Sequence, residues 1–385
     1  MTPRLRRAVA ALAVALWLVA NTRLWLLWSD SRLPAWDFGI FTQMVWMLGH
    51  GESGRISLLH GIHWLGDHFQ PVLWLLAPLG WTSPYALVLA ETTIVAAGAF
   101  PLARIAWRAT RSELATVAIV GAWLATPGLW WALQYPVHPS TWVAPLLLFA
   151  IDAFEEGRLA RYAAFCALAL ACKEDVGLYL AAIGVWLAFR RPAVGIATVL
   201  VGIAATYVCI AHVIPAFRGQ PWHMFEPVPP LRQPGAWADP RVLAHVLAER
   251  PENLRLLATT FGAFGLLPLL DPLVVATAPF LAERVFSANV MHVALTFHYG
   301  APVSAVLAVA AARGAARVPP RVVAGLLAVG TVAAHAAVGA HGPSTATLLA
   351  AYGGPAQRAR DEAIARIPPD AAVLAQDTLA PRVAQ

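Results

Sequence analysis

The chain has 385 residues, of which 59% are hydrophobic and 12% are charged. Soluble domains carry roughly 25% charged residues, so this chain has about half the usual supply of water-facing side chains. Its mean hydropathy is +0.63. These values exclude a disordered chain, a soluble disulfide scaffold and an ordinary cytosolic enzyme, and they predict a polytopic membrane protein.

Positive charge dominates the ionisable residues. The formal net charge is +6, and Lys173 is the only lysine among 27 basic residues. The arginines lie singly or in small groups between long apolar runs, which is typical of loop anchors at a membrane surface rather than of a nucleic-acid-binding patch. The three cysteines lie inside apolar runs without zinc-ligand spacing, so we interpret them as core residues.

Apolar runs divide the chain into candidate membrane-spanning helices, each of which needs about 20 apolar residues or somewhat fewer where it is short. The first run is longer than the roughly 7–15-residue apolar core of a cleavable signal peptide, so we expect a retained helix with its N-terminus in the cytoplasm. The sequence thus predicts an all-α polytopic membrane protein with about eleven transmembrane helices. The runs are 8–28, 85–107, 114–133, 141–154, 159–172, 176–189, 193–214, 256–270, 273–286, 301–312 and 322–340.

The arginine clusters constrain this count. Positive residues concentrate in cytoplasmic loops, and crossing the membrane at each of the runs from a cytoplasmic N-terminus places every cluster inside. One miscounted crossing would move all later clusters to the other side. The clusters are Arg4/Arg6/Arg7, Arg104/Arg108/Arg111, Arg158/Arg161, Arg190/Arg191 and Arg313/Arg317/Arg321.

Two segments need separate treatment. Residues 69–81 are apolar but contain Pro71 and Pro78, and a crossing there would invert all later loops, so we expect a re-entrant or interfacial segment. A single helix over residues 159–189 would be about 46 Å long at 1.5 Å per residue, too long for a ~30 Å hydrocarbon core. We therefore predict two short helices that turn at Lys173-Glu174-Asp175 on the outer side.

These runs and loops define the domain organisation. Residues 1–340 form the transmembrane domain, with a long first outer loop at 29–84 that carries interfacial helices and a proline-rich second outer loop at 215–255. Residues 341–385 form a polar extracytoplasmic tail. Because residues 371–375 resemble the start of a strand just before the sequence stops, we expect a truncated tail.

Polar side chains interrupt the apolar sequence at a few places. With about eleven crossings, all of these polar side chains lie at the outer ends of helices. The number of crossings follows from the apolar runs and the arginine clusters alone, so the common position of the polar side chains is independent support for it. The sequence therefore predicts one shared extracytoplasmic site. Its candidate residues are Asp37, Asp67, His68, His138, Lys173, Glu174, Asp175, His298 and Tyr299.

The charged triplet Lys173-Glu174-Asp175 has two interpretations. A charge at mid-membrane costs about 2.5–3.5 kcal/mol on insertion scales, and adjacent side chains on a helix point about 100° apart, so the triplet belongs at a helix break near water or in a polar cavity. In the first interpretation Lys173 pairs with a neighbouring acid in a solvated turn. In the second, the triplet forms a charged cavity that receives an anionic substrate group.

The first outer loop also leaves alternatives open. Asp37 precedes a strongly apolar stretch that we expect to lie in the interface plane, and it acts either as the N-cap of that helix or as a general base at the membrane surface. The loop histidines could hold a divalent metal, but their spacing matches no motif, so we assign no metal and no cofactor. Gly-rich phosphate loops, Ser-His-Asp signatures and nucleic-acid motifs are absent from the sequence.

With these residues assembled, the chain resembles a family of bacterial and archaeal membrane proteins, domain of unknown function 2079, which is grouped with the GT-C superfamily of integral membrane glycosyltransferases. The family usually has an acid two positions before the His of His138-Pro139, where this chain has Pro136. The motifs that carry the resemblance are Asp37-Phe38-Gly39-Ile40-Phe41-Thr42-Gln43 with Trp46, Asp67-His68-Phe69-Gln70-Pro71, His138-Pro139, Lys173-Glu174-Asp175, the stretch 264–270 and His298-Tyr299.

The resemblance implies a GT-C-type fold and a membrane glycosyltransferase. Such enzymes take a sugar from a polyprenyl-phosphate carrier and pass it to an acceptor outside the cytoplasm, with an acidic residue in the first outer loop, where Asp37 stands. Asp37 would deprotonate or orient the acceptor hydroxyl, Lys173 would hold the donor phosphate, and Glu174 and Asp175 would position Lys173 or contact sugar hydroxyls. His138 and His298 would hold the donor phosphate together with Lys173. The full set of further substrate-binding residues is Asp67, His68, His138, His298 and Tyr299.

The resemblance also implies the partners and leaves two other functions open. The partners are a lipid-linked sugar donor and membrane lipids, without nucleic acid, at the cell membrane. A half-buried lysine with acids also suits a transporter or flippase of lipid-linked or anionic solutes. A non-catalytic membrane protein that has kept the fold is the third hypothesis, because Pro136 replaces an acid of the family.

Overall fold

The computed structural model describes residues 1–33, 36–52, 54–222, 225–368, 371, 373 and 380–383, and it is almost entirely helical. A short antiparallel hairpin in the first loop pairs β1 (Arg55–Ile56) with β2 (Ile62–His63). Most of the strand start predicted at 371–375 lies outside the described residues. The α-helices up to the second outer loop are α1 Pro3–Ser29, α2 Trp36–His50, α3 Tyr85–Ala97, α4 Ala99–Thr110, α5 Glu113–Ala125, α6 Pro127–Gln134, α7 Pro139–Glu155, α8 Leu159–Leu170, α9 Val176–Ala188, α10 Pro192–Val208 and α11 Ile214–Arg218.

The remaining helices include short ones that the apolar pattern did not predict. They lie in the proline-rich segment 215–255, before the buried helix α16 and in the tail. They are α12 Pro240–Ala248, α13 Pro251–Gly262, α14 Ala278–Val285, α15 Val290–Val293, α16 Ala301–Ala315, α17 Pro320–Val338, α18 Thr345–Ala351, α19 Pro355–Ala365 and α20 Ala380–Val383.

Several helices are suited to a bilayer. Within the described residues, four helical stretches are long and apolar enough to cross a membrane, namely Pro3–Ser29, Tyr85–Thr110, Pro192–Arg218 and Pro320–Val338. The pair α5 and α6 makes a fifth if it counts as one span bent by 41°. Pro127 explains this bend, because it lacks the N–H that would continue α5. The prediction of an all-helical chain with several apolar helices is confirmed.

The buried helix α16 forms the centre of the bundle. Every residue of α16 except Arg313 is buried, and the helix packs against α4, α5 and α7. Its sequence is mostly Ala and Val, and such small side chains let neighbouring backbones approach closely. Residues 301–315 therefore act as the axis around which the other helices are arranged.

The region around the charged triplet forms the predicted helical hairpin. Helix α8 ends at Leu170 and α9 begins at Val176, so the prediction of two short helices with a turn at Lys173-Glu174-Asp175 is confirmed. Helix α9 then packs closely on α10 through pairs of glycines. A Cβ atom on Gly202 would overlap the carbonyl oxygen of Gly177.

Two predicted continuous runs are interrupted, and this is a correction. The runs 256–270 and 273–286 are not single helices, because α13 ends at Gly262 and irregular 3₁₀ turns follow until α14. Gly265 and Leu266 have positive φ values of 57° and 58°, and Pro268 and Pro272 then remove backbone donors. The apolar pattern alone did not reveal these breaks.

The helices run between two polar ends of the bundle. At one end, Arg104 and Arg108 of α4 pair with Asp152 of α7, and Arg313 of α16 pairs with Glu155. We call this the arginine end. Helix α7 runs from Glu155 at this end back to Pro139, and its 17 residues span about 25 Å at 1.5 Å per residue. The opposite end, beyond Pro139, is the site end.

The tail packs on the end of α1 that is nearer the site. Trp25 of α1 donates from its indole to the Tyr352 hydroxyl at 3.3 Å, and Asp30 pairs with Arg360 of α19. The first loop and the tail therefore contact the same part of the bundle.

The glycine contact between α9 and α10 gives a stability prediction. Gly202→Ala places a methyl group against the backbone of α9, so we expect a lower thermal midpoint in detergent, because the two helices must move apart. The matched control is Gly325→Ala in α17, where a Cβ meets nothing within 4 Å and helix propensity favours Ala by about 0.5–1 kcal/mol. Equal effects of the two substitutions on the thermal midpoint would contradict the packing.

Candidate functional site

A polar cavity of about 390 Å³ opens at the site end of the bundle. Its walls come from α2, the first loop, the turn between α8 and α9, α14 and the segment before α16. Eight of the nine predicted site residues line it: Asp37, Asp67, His68, His138, Lys173, Glu174, His298 and Tyr299. The ninth, Asp175, lies behind the wall and lines a small adjoining cavity.

Helix α2 and the 3₁₀ segment Pro71–Trp81 form one side of the site. They cross at two glycines, since a Cβ on Gly49 would overlap the backbone of Ala77 and one on Gly80 that of Val45. The apolar segment predicted as re-entrant or interfacial thus packs directly on the helix that carries Asp37.

Asp37 and His138 join α2 to the start of α7. The Asp37 Oδ2 atom lies 3.3 Å from His138 Nε2, and His138 Nδ1 lies 3.0 Å from the carbonyl oxygen of Tyr135. Both ring nitrogens thus face oxygen atoms, which fixes the orientation of the ring between α2 and α7. Burial acts to raise the pKa of Asp37, but the hydrogen bonds and charge of His138, together with Tyr135, lower it, so Asp37 is a carboxylate.

Asp37 is therefore more than a helix cap. It lies in the first turn of α2, where a negative charge is favoured. Among the described residues, however, its observed side-chain hydrogen bond goes to a histidine 101 positions away rather than to an amide of its own helix.

The loop that carries His138 is held by Glu91 of α3. Both carboxylate oxygens of Glu91 accept backbone hydrogen bonds, from the Val137 N–H at 2.6 Å and the His138 N–H at 2.9 Å. Val137 has a φ of 64°, a conformation that costs a β-branched residue about 1–3 kcal/mol. Glu91 stabilises this strained turn and places His138 at the first residue before α7.

Glu174 links the first loop to the helical hairpin. Its buried carboxylate accepts from the His68 ring at 2.8 Å and from the Phe69 N–H at 3.0 Å. Burial acts to lower the pKa of His68, but the charge and hydrogen bond of Glu174 outweigh it and raise this pKa to about 9. Burial acts to raise the pKa of Glu174, but His68 and then Lys173 lower it to about 2. The pair is ionised at neutral pH.

Lys173 lies between two acids. Its Nζ atom is 2.7 Å from Asp175 and 3.8 Å from Glu283 of α14, and the Tyr179 hydroxyl lies within hydrogen-bond distance of both of these acids. Burial acts to lower the pKa of Lys173, but the carboxylates of Asp175, Glu283 and Glu174 hold it well above its ordinary value. Lys173 is a paired cation at the cavity wall, and Asp175 orients it from behind.

The histidines of the site differ in charge. His298 stacks on His138 with ring centroids 3.9 Å apart, and burial followed by the charges of His138 and Lys173 lowers the pKa of His298 well below its ordinary value. Burial and the charge of Lys173 also lower the pKa of His292, to about 4. Unlike these two rings, His68 is cationic, because Glu174 raises its pKa.

Several residues that line or support the cavity were missed by the sequence interpretation. Glu91 and Glu283 each lie in a run that we interpreted as an apolar span, and an ionisable residue inside such a run was the available signal. His292 and Asn289 precede the buried helix α16, and Trp222 comes from the segment after α11. Nothing in the local sequence marked these three as neighbours of Asp37.

The structure also locates the other first-loop histidines. His50 stacks between Trp46 and Trp81, and His63 stacks on Phe217, so neither lines the cavity. Within the described ranges, no group of three or more His, Cys, Asp or Glu side chains is arranged to hold a metal ion.

Comparison with family models identifies the chain. The model for the predicted membrane proteins DUF2079 matches residues 23–385. The chain belongs to this family. The resemblance in the sequence motifs is thereby confirmed at the level of the DUF2079 family, whereas the link to the GT-C superfamily stays a prediction. No curated protein and no solved structure matches the chain.

The His68–Glu174 pair of this DUF2079 protein gives a pH prediction. Because the pKa of His68 rises from 6.5 to about 9 on folding, its stabilising effect is complete below about 6.5 and is lost as the pH rises through about 9. We expect the thermal midpoint of His68→Gln to lie below that of the wild type near pH 6.5, with a gap that narrows towards pH 9. His60→Asn, at an exposed loop position, should give a gap that does not change with pH. A constant gap for His68→Gln would contradict the ion pair.

Proposed function

We propose that the protein is a membrane glycosyltransferase with a GT-C-like fold that moves a sugar from a polyprenyl-phosphate donor to an extracytoplasmic acceptor. The observation that carries the proposal is a single cavity that combines a carboxylate, Asp37, with two cations, Lys173 and His68. Its volume of about 390 Å³ lies in the usual range for small-molecule sites, about 300–1,000 Å³.

The acceptor would bind at Asp37. Asp37 interacts with His138 and with the Tyr135 side chain, and because a carboxylate has about four lone-pair sites, it could also accept a hydrogen bond from an acceptor hydroxyl. A carboxylate with a lowered pKa is a weak base, so it orients the hydroxyl and takes its proton late, as the new C1–O bond forms. The bond between C1 and the phosphate oxygen breaks, and the electron pair leaves with the polyprenyl phosphate.

The donor phosphate would bind at the opposite wall of the cavity. Lys173 offers ammonium protons beyond the one directed to Asp175, and His68 is held cationic by Glu174. A phosphate shared between these cations would carry the charge that develops as the leaving group departs.

The lipid tail would lie along the outside of the first loop. Exposed apolar side chains are grouped on α2 and on the adjoining 3₁₀ segment, the same elements that place Asp37 and pack beside the cavity. These exposed side chains are Trp36, Trp74, Leu75 and Trp81. Tryptophans of this kind favour the membrane interface, so a donor would keep its chain in lipid while its sugar enters the cavity.

The membrane topology belongs to the same proposal. We infer about eleven crossings with the site end outside, because successive segments alternate between the two ends. Helix α8 runs from Arg158 to the Lys173 turn, and α9 returns to Arg190. Segments too short to cross alone would be accommodated by the buried helices around them.

A second candidate function is a transporter or flippase of lipid-linked or anionic solutes. The buried cluster of Lys173, Asp175 and Glu283 behind the cavity favours it, because charge clusters within membranes mark ion pathways. Protein in sealed vesicles separates the two functions, since a transporter would move a labelled polyprenyl-phosphate sugar across the bilayer without an acceptor and a transferase would not.

One prediction of the proposed function concerns the membrane topology. A reporter fused after Arg191 should be cytoplasmic, and one fused near Pro229 should be extracytoplasmic, because helices α10 and α11 connect them. Accessibility labelling in intact cells and inverted vesicles measures this. Reporters on the same side would rule out the proposed crossings around Lys173.

The second prediction concerns Asp37. Asp37→Asn keeps an oxygen for His138 but loses the charge, so transfer from a labelled polyprenyl-phosphate donor should fall roughly 10²-fold or more. Asp37→Ala should lose the same activity and also cost stability. The control is Asp239→Asn, at an exposed cap of α12, which should keep wild-type transfer. Wild-type transfer by Asp37→Asn would exclude the catalytic role.

The third prediction concerns Lys173. Lys173→Arg keeps the charge but changes the donor geometry, so the KM for the lipid donor should rise, and Lys173→Met should raise it further. Lys173→Met leaves the buried carboxylates of Asp175 and Glu283 without their cation, which destabilises the fold. The double variant Lys173→Met/Asp175→Asn removes one of these uncompensated charges, so its donor KM can be measured on folded protein. An unchanged donor KM in that double variant would contradict phosphate binding by Lys173.

A further inference from the structure

A second charged cavity lies at the arginine end, away from the candidate site. Its volume is about 410 Å³. Four arginines line it, Arg108 of α4, Arg190 and Arg191 between α9 and α10, and Arg313 of α16, together with one acid, Glu155 of α7. The proposed glycosyl transfer uses none of these residues, since α7 separates the two cavities by about 25 Å.

The four arginines are unequally neutralised. Arg108 pairs with Asp152 and Glu155 at 2.6 and 2.9 Å, and Arg313 pairs with Asp271 at 3.0 Å. In the described part of the chain, Arg190 and Arg191 have no carboxylate within 4.0 Å. The cavity therefore carries more positive than negative charge.

Aromatic rings hold the two unneutralised guanidinium groups in place. The Arg190 Cζ atom lies 3.8 Å from the centre of the Trp186 ring, and Arg191 Cζ lies 5.6 Å from that of Phe154. Arg190 also donates from Nη1 to the Trp186 carbonyl at 3.4 Å, and the remaining N–H donors of a stacked guanidinium group lie at its edge. Burial, and then the charge of Arg313, lower the pKa of Arg190, and the second of these causes is the repulsion between two like charges that face one cavity.

We propose that this cavity binds a phosphate or phosphodiester group. Guanidinium forks match the geometry of phosphate oxygens, and basic pockets between helices at the cytoplasmic surface of membrane proteins bind anionic lipid headgroups. A phosphate placed here would neutralise Arg190 and Arg191 and hold α9 and α16 together at their ends. The source is either an anionic phospholipid of the membrane or free phosphate.

The full-length protein in a neutral detergent tests this. Native mass spectrometry counts lipids retained after addition of phosphatidylglycerol or of zwitterionic phosphatidylcholine. Preferential retention of phosphatidylglycerol that inorganic phosphate does not displace supports a lipid headgroup. Displacement by inorganic phosphate supports the same site with a soluble occupant. Equal retention of the two lipids, together with no binding of inorganic phosphate, overturns the proposal.

Matched variants test the location. Arg190→Gln/Arg191→Gln removes the two unneutralised groups, and phosphate-binding affinity should fall about tenfold or more, the scale of a lost charge-assisted hydrogen bond. Arg317→Gln/Arg321→Gln removes the same charge from exposed positions that do not line the cavity, and it should keep wild-type binding. Equal loss in both double variants would show general electrostatic attraction and overturn the proposal. Single Arg191→Gln, with the thermal midpoint as a folding check, repeats the test if the double variant does not fold.

Discussion

The buried carboxylate of Glu174 is the constraint on which the candidate site depends. A buried charge is tolerated only when it is paired and hydrogen-bonded, and the groups that satisfy Glu174 are the His68 ring and the Phe69 amide of the first loop. The loop is thereby fixed against the turn between α8 and α9. Since the segment that follows packs on α2, the same contact also helps to place Asp37 and Lys173 in the lining of one cavity.

The rest of the bundle separates two polar ends by apolar packing. Helix α16 is buried along its length, and α4 and α7, which pack against it, carry ionisable groups near the arginine end. Glu91 is the exception inside a long helix, and both of its oxygens are occupied by amides of the strained turn before α7. The buried carboxylates of Asp152 at the arginine end and of Glu174 at the site end are each paired locally, as expected for a protein in a bilayer.

Much of this arrangement could be predicted from the sequence because it follows from the cost of burying charge. That cost predicted the turn at Lys173-Glu174-Asp175 and grouped Asp37 with His138 before any contact was known. Long-range pairing could not be predicted, so Glu283 was missed although it reaches Lys173. Helix α12 was missed because the proline-rich loop around it shows little apolar periodicity. The break in the run 256–270 was missed because it depends on the positive φ angles of Gly265 and Leu266, which an apolar sequence pattern does not show.

The most direct test of the site is to locate the bound donor. A polyprenyl-phosphate sugar with a photoreactive group next to the phosphate can be crosslinked to the protein in membranes, and the labelled peptides can be mapped by mass spectrometry. We expect adducts in α2 and at the turn around Lys173, and excess unlabelled donor should compete with them. Adducts confined to the arginine end, or labelling that unlabelled donor does not reduce, would contradict the assignment of the donor site.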